Sequence, residues 1–312
     1  MYTNLSNYSE GFDSMFVIIF SIIAFFLIGL TIVLIYFLIR YNEKRNPKPT
    51  QIKGSVWLEI IWTVIPLGLV LGMFYYGWMA WIPMISDAPD DAMEIKTTAQ
   101  MWSWRFEYEN GRITDTLIIP EGKAVELLMT SPDVLHSLYI PAFRVKRDVV
   151  PGRVTKMWFE AKKTGSYDLF CAEYCGLQHA FMTTEVKVLP PDKFDDWYED
   201  TTAVVQTFDT PEAAGLQLLK NKGCLACHSL DGSKLVGPTY KGIYGHEVEV
   251  VAQGETRKVV VDRQYIINAI YNPDEEIVKG FSKGLMRSYK EELTEEEIDQ
   301  IIDYLKTLSD KE

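Results

Sequence analysis

The chain has 312 residues, 47% of them hydrophobic, so it is too long for one small domain and too apolar for a disordered protein. Its formal net charge of −12 argues against a nucleic-acid-binding protein, which needs basic surface to displace counterions. Residues 15–39 and 60–86 carry no charged side chain, whereas the sequence from Asp87 onward is polar and charge-rich. This distribution predicts a membrane-anchored protein with a large water-exposed part.

The two apolar runs predict a transmembrane hairpin. Residues 15–39 are long enough to cross the roughly 30 Å hydrocarbon core as a tilted helix. Residues 56–83 form the second predicted span, and its aromatic end GMFYYGWMAWI suits the lipid headgroup region. A cleaved signal peptide is the alternative for the first run, but no Lys or Arg precedes it and basic residues follow it.

The charges around these runs predict the orientation of the chain. The predicted loop 40–55 contains five basic residues and one acidic residue, whereas the tail 1–14 is acidic. The positive-inside rule therefore places the loop in the cytoplasm and both termini outside, in a bacterial inner membrane. Glu59 lies just inside the second span, either as an interfacial carboxylate or on a proton or ion path.

Residues 84–190 change to short β-rich runs separated by Gly, Pro and Asn, which indicates a β-sandwich or barrel. Cys171, Cys175, His179 and Met182 follow one such run in LFCAEYCGLQHAFM, and His136 lies upstream in SPDVLHSLYIPAF. Thiolates, imidazoles and a thioether suit copper, whereas zinc has no use for the thioether. A Cys171–Cys175 disulfide is the alternative, but it leaves the spacing of the histidine and methionine as a coincidence.

The pattern C-x-E-x-C-x-x-x-H-x-x-M resembles the copper A loop of cytochrome c oxidase subunit II. The resemblance covers residues 54 to about 189, because LEIIWTVIP, MWSWRFEY and DVLHSLYIP are also similar to stretches of that family. It implies a cupredoxin-like domain that holds a binuclear copper A centre. The implied copper ligands are His136, Cys171, Glu173 through its carbonyl, Cys175, His179 and Met182.

The same resemblance implies further roles. The carboxylate of Glu173 is implied to reach a magnesium ion shared with the catalytic subunit, and Asp148 to lie in a loop facing that subunit. Trp102 matches the aromatic residue at which electrons enter, although a buried core tryptophan is the alternative. Glu59 matches a carboxylate near the mouth of a proton channel.

Residues 191–210 are predicted to be a linker, and residues 211–312 contain Cys224, Cys227 and His228 as C-x-x-C-H, the attachment pattern of a c-type haem. A thioredoxin-like pair is the competing interpretation, but no βαβ pattern surrounds it. The sixth iron ligand of such a haem is Met or His. Met286 is the only methionine after the motif and His246 the only further histidine, and Met286 is the favoured ligand. Arg287 follows that methionine, where most such cytochromes have proline.

The last segment, LTEEEIDQIIDYLKTL, predicts a helix. Thr294 and Glu297 form a capping box, and isoleucines and a leucine recur at helical spacing. Residues 211–312 as a whole resemble an all-α class I cytochrome c domain, which implies a cytochrome c fused to subunit II.

The resemblance implies an electron-transfer subunit of a proton-pumping oxidase. Haem c and copper A would pass electrons to subunit I, which reduces oxygen to water. The implied partners are subunit I, subunit III, a cytochrome c or other respiratory donor, and membrane lipid, with no nucleic acid. The alternatives are the corresponding subunit of a nitric oxide reductase and a disulfide-stapled, membrane-anchored binding module.

Overall fold

A computed structural model describes residues 4–48, 50–200 and 210–309. Two long helices open the fold, α1 (Ser9–Arg40) and α2 (Val56–Ile85), and their apolar side chains point outward. Both are long and apolar enough to cross a membrane. Helix α1 begins at Ser9, before the apolar run starts at residue 15, because the segment just ahead of it packs on the following domain. There the amide of Asn7 donates to the carbonyl of Glu160, in that domain, at 3.1 Å.

The second unit is a sandwich of two five-stranded sheets with strand orders β3-β2-β1-β5-β8 and β4-β10-β9-β6-β7. Its strands are β1 (Met93–Gln100), β2 (Ser103–Tyr108), β3 (Ile113–Thr114), β4 (Leu117–Pro120), β5 (Ala124–Thr130), β6 (His136–Ile140), β7 (Val145–Val149), β8 (Thr155–Glu160), β9 (Gly165–Cys171) and β10 (Thr183–Leu189). Alternate side chains point between the sheets, and Phe106, Phe143 and Phe159 are fully buried there. The predicted β-sandwich is confirmed.

Helix α3 (Pro191–Glu199) follows the sandwich and packs on it through Phe194 and Trp197. The ring of Trp197 lies 5.1 Å from that of Tyr108, centroid to centroid. The first part of the predicted linker is therefore helical, and residues 201–209 lie outside the described residues.

The C-terminal unit contains helices α4 (Pro211–Asn221), α5 (Arg263–Tyr271) and α6 (Glu295–Thr307). The capping box at Thr294 and Glu297 is present, and the apolar stripe of α6 is buried. This unit differs from an all-α domain in one respect, because it also has a three-stranded sheet. Its strands are β11 (Glu247–Ala252), β12 (Glu255–Val260) and β13 (Ile277–Val278), rich in β-branched valine.

Candidate metal centres

The sulfur-rich loop lies at one end of the sandwich, where two paired strands meet. His136 opens strand β6, Cys171 closes strand β9, and the pairing places Leu138 opposite Cys171. The Nδ1 atom of His136 is 3.9 Å from Sγ of Cys171, and the two Sγ atoms of Cys171 and Cys175 are 3.8 Å apart. Both cysteines are free thiols, so no disulfide joins them.

The remaining predicted ligands surround the second cysteine. Sγ of Cys175 lies 3.5 Å from Nδ1 of His179 and 3.7 Å from Sδ of Met182. The backbone carbonyl of Glu173 is 3.3 Å from Sγ of Cys171. The structure thus brings together every donor atom that the sequence singled out, and two sulfurs form the centre of the group.

The thiols differ in how readily they ionise. Burial opposes ionisation of Cys171, but hydrogen bonds from His136 and the backbone lower its pKa to about 6. Burial and the adjacent negative charge of Cys171 raise the pKa of Cys175 to about 12. Two neighbouring thiolates therefore need positive charge between them, which soft metal ions provide.

Sequence reasoning missed Asp133, three residues before the first histidine. Its Oδ1 lies 2.9 Å from Nε2 of His136, which leaves Nδ1 facing the sulfurs. Although burial opposes protonation, this contact raises the pKa of His136. Asp133 also accepts from the amides of Met101 and Val134. A carboxylate that orients a ligating histidine is common at metal sites. The aspartate three residues before the histidine in SPDVLH could therefore have been predicted to contact it.

The side chain of Glu173 points away from the sulfurs. Its carboxylate lies 3.1 Å from Nζ of Lys146, which also pairs with Asp148 at 3.1 Å. Asp148 in turn accepts from the hydroxyl of Ser137 at 2.8 Å. The carboxylates of Glu173 and Asp148 therefore lie beside the sulfur-rich loop, next to β7, the edge strand of its sheet.

Both tryptophans of MWSWRFEY are buried. Trp102 is 5% exposed, and its Nε1 lies 3.2 Å from the carbonyl of Cys175. Trp104 is 3% exposed, and its Nε1 lies 3.4 Å from the carbonyl of Met182. Each indole thus contacts the backbone of the sulfur-rich loop. Glu59 is not part of the sandwich; it is exposed in the first turn of helix α2.

A second site lies in the C-terminal unit, in an apolar cavity lined by Cys224, Cys227, His228 and Met286. Nδ1 of His228 lies 2.7 Å from the carbonyl of Pro238, so Nε2 is the nitrogen left to bind iron. The ring of His228 stacks on Tyr240 at 4.6 Å between centroids. Burial lowers the pKa of His228 and so keeps the imidazole neutral, as a ligand must be.

The two candidates for the sixth iron ligand are placed differently. Met286 is half-buried in the wall of this cavity, whereas His246 is exposed and is not among the residues that line it. The two thiols line the same cavity as His228, as two thioether bonds near an axial histidine require. The donor set and the apolar lining fit a c-type haem.

We predict that Gly237→Ala displaces the histidine of this cavity. A Cβ atom at Gly237 would lie 2.5 Å from Cε1 of His228, while Tyr240 blocks the other face of the ring. The ring must therefore rotate out of the geometry set by Pro238. The expected result is a changed absorption spectrum and loss of axial histidine ligation, measured by magnetic circular dichroism. Glu255→Ala is the control, because Glu255 is exposed on strand β12 and does not line the cavity; equal spectra for the two variants would contradict the prediction.

Comparison with known proteins agrees with these sites. Residues 3–75 match the sequence profile for the cytochrome c oxidase subunit II transmembrane domain, 111–189 that for its periplasmic domain, and 212–309 that for cytochrome c. Cytochrome c oxidase subunit 2 of Alkalihalophilus pseudofirmus is 30% identical over 93% of this chain and 85% of its own length. The chain belongs to the cytochrome c oxidase subunit II family.

Other members of the family match over shorter stretches. The subunit 2 of Cereibacter sphaeroides is 29% identical over 57% of this chain and 72% of its own length. The periplasmic domain of subunit II from Bradyrhizobium japonicum has 32% identity over 36% of this chain and 94% of that chain, with a TM-score of 0.34.

Membership in the subunit II family, together with the cytochrome c match, confirms the predicted family and fold class. The protein is a two-pass membrane subunit of an oxidoreductase with a fused cytochrome c domain. The subunit II match implies copper A, and the cytochrome c match implies haem. Membership also implies association with subunit I and a cytochrome c donor.

Proposed function

We propose that this chain is the electron-accepting subunit of a proton-pumping oxidase that reduces oxygen in subunit I. The observation that carries this proposal is the convergence of soft donors around Cys171 and Cys175, whose sulfurs are 3.8 Å apart, in a chain that also has a haem cavity. Copper A and haem c, when bound, supply two one-electron carriers, and electrons from the donor are passed by way of both to subunit I. The chain has four histidines, and three of them belong to these two sites.

The copper A ligands in this proposal are His136, Cys171, Glu173 through its carbonyl, Cys175, His179 and Met182. The two cysteines would hold the metal ions together, because their sulfurs are neighbours, and the other donors lie around these two sulfurs. The paired strands β6 and β9 hold His136 and Cys171 in fixed register. A rigid donor set keeps the geometry similar in both redox states, which favours fast electron transfer.

The haem is proposed to be attached covalently through Cys224 and Cys227. His228 and Met286 are its proposed axial ligands, supported by the lining of the cavity. Burial raises the pKa of Cys224 to about 12. Tyr240, behind the imidazole, keeps water from that face.

The proposed contacts with the catalytic subunit involve the carboxylates at the edge of the sandwich. Glu173, whose carboxylate pairs with Lys146, is this chain's proposed ligand for a magnesium ion shared with subunit I. Asp148 is proposed to face the same partner. Glu59 is proposed to lie at the mouth of a proton path, and Trp102, against the copper loop, on the route by which electrons enter.

The proposed setting is a bacterial inner membrane with the N-terminus and both outer domains on the extracytoplasmic side. The basic loop between α1 and α2 supports this orientation. Subunit III is a further proposed partner. The proposed domain limits are 84–190 for copper A and 211–312 for the cytochrome.

Metal and haem analysis of the purified full-length chain tests this function. We expect two copper atoms and one covalent haem per chain, with a near-infrared copper band and a c-type haem spectrum. Oxygen uptake by the assembled complex should depend on both. A chain that contains haem but never takes up copper would contradict the proposal.

A further inference from the structure

Gln100, at the end of strand β1, makes the polar contacts between the copper domain and the cytochrome domain. Its side chain is 92% buried, and its Nε2 donates to the carbonyl of Lys222 at 2.7 Å and lies 3.4 Å from the hydroxyl of Tyr289. Its Oε1 accepts from Nη2 of Arg287 at 3.1 Å. One amide of the first domain therefore joins two segments of the second that are far apart in its sequence, one at Lys222 and one at Arg287 and Tyr289.

Arg287 is itself held in place for this contact. Its guanidinium lies over the ring of Tyr289 at 4.2 Å and forms an ion pair with Glu292. These contacts fix the residue that directly follows Met286. Arg287, which stands where most such cytochromes have proline, is thus the residue that contacts Gln100 of the other domain.

The backbone of the cytochrome domain approaches the copper domain closely beside this contact. Gly223, just before the first haem-attachment cysteine, has a φ of +73°. A Cβ atom there would lie 2.6 Å from Oγ of Ser103 and would also clash with the amide of Gln100. Only glycine allows both the positive φ and this approach.

The haem cavity is closed by the copper domain on this side. Gln100, Met101 and Asp133 line the same cavity as Cys224 and Cys227. Asp133 is also the carboxylate that contacts His136, at 2.9 Å. A single side chain therefore separates the haem cavity from a proposed copper ligand.

We propose that Gln100 is a positioning residue that fixes the cytochrome domain on the copper domain, and that this contact surface accepts the chain's own cytochrome domain rather than a separate one. The surface consists of Gln100, Met101 and Asp133. This inference rests on the proposed function, since it concerns the route between the two proposed centres.

Hydrogen exchange of the full-length, haem-loaded chain tests the contact without depending on turnover. Gln100→Lys places a cation against Arg287 and removes the amide from its three partners. We expect exchange in peptides covering residues 99–106 and 219–226 to become at least about tenfold faster, the effect of losing one to two net hydrogen bonds. The control is Gln264→Lys, the same substitution at an exposed position of α5, which should leave both peptides unchanged.

Gln100→Ala provides a second variant that adds no charge, in case the lysine disturbs the sandwich as a whole. Faster exchange confined to the two interface peptides in Gln100→Ala supports the proposal. Unchanged exchange in both peptides overturns it, even if copper and haem contents are normal. Absence of copper or haem in the wild-type chain would instead contradict the proposed function, so the two failures are distinguishable.

Discussion

Replacing Cys175 by serine should remove copper from the chain while leaving the haem attached. The Sγ atom of Cys175 contacts a donor atom of each of three other residues, Cys171, His179 and Met182, at 3.5 to 3.8 Å. A serine hydroxyl is a harder donor, and it does not ionise in place of a thiolate at neutral pH. Outer ligand-orienting residues typically account for about 10–100-fold in metal affinity, so loss of a central ligand should exceed about 100-fold.

The measurement is copper content by elemental analysis together with the near-infrared band of the purified chain. Cys224→Ala is the reciprocal control, because it should abolish one thioether link to haem and leave the copper content intact. Cys175 belongs to the sulfur-rich loop and Cys224 to the haem-attachment segment, so each variant removes a proposed ligand of one site only. Normal copper content in Cys175→Ser would mean that the two sulfurs do not form the proposed site.

The copper loop and the haem-attachment sequence were predictable because their donors are adjacent in the chain. When only a few residues separate two donors in a loop or a 3₁₀ turn, their side chains can easily meet. Cys171, Cys175 and His179 are an example. His136 is a long way upstream, and only the resemblance connected it to the loop. The structure explains the connection through the pairing of β6 with β9.

Contacts between domains were not predictable in the same way. Gln100 contacts Tyr289, 189 residues later, and no pattern in either segment indicates that the two meet. Lys146 reaches Glu173 only because strands β6, β7 and β9 are neighbours in one sheet. Such contacts depend on tertiary packing. The periodicity of a sequence indicates only which face of a helix or strand is buried, and not which residue that face meets.

The sheet in the cytochrome domain was missed although its signal is present in the sequence. The run EVEVVAQGETRKVVV alternates valine with charged residues, as a half-exposed hairpin does. Gln253 and Gly254, at the turn, both have positive φ. The resemblance to an all-α cytochrome outweighed this local pattern.

Gly215→Ala should unfold or severely destabilise the cytochrome domain. Gly215 is buried in α4, where that helix crosses α6. A Cβ atom at this position would clash with the carbonyl oxygen of Gln300, 2.7 Å from its carbon, and would lie 3.0 Å from Cα of Ile301. Both contacts are with backbone, which cannot turn aside as a side chain can. Alanine favours a helix over glycine by about 1 kcal/mol, so propensity alone predicts stabilisation.

We expect the steric clash to prevail over this preference. Overpacking of a rigid contact costs about 3 kcal/mol or more, because the two helices must separate along the buried face that holds the domain together. Denaturant unfolding of the full chain, followed by haem absorption, measures the change. Ala213→Gly is the control, since Ala213 is exposed in the same helix and should lose only about 1 kcal/mol. If Gly215→Ala were the more stable of the two variants, α4 and α6 would not pack as closely at Gly215 as the structure shows.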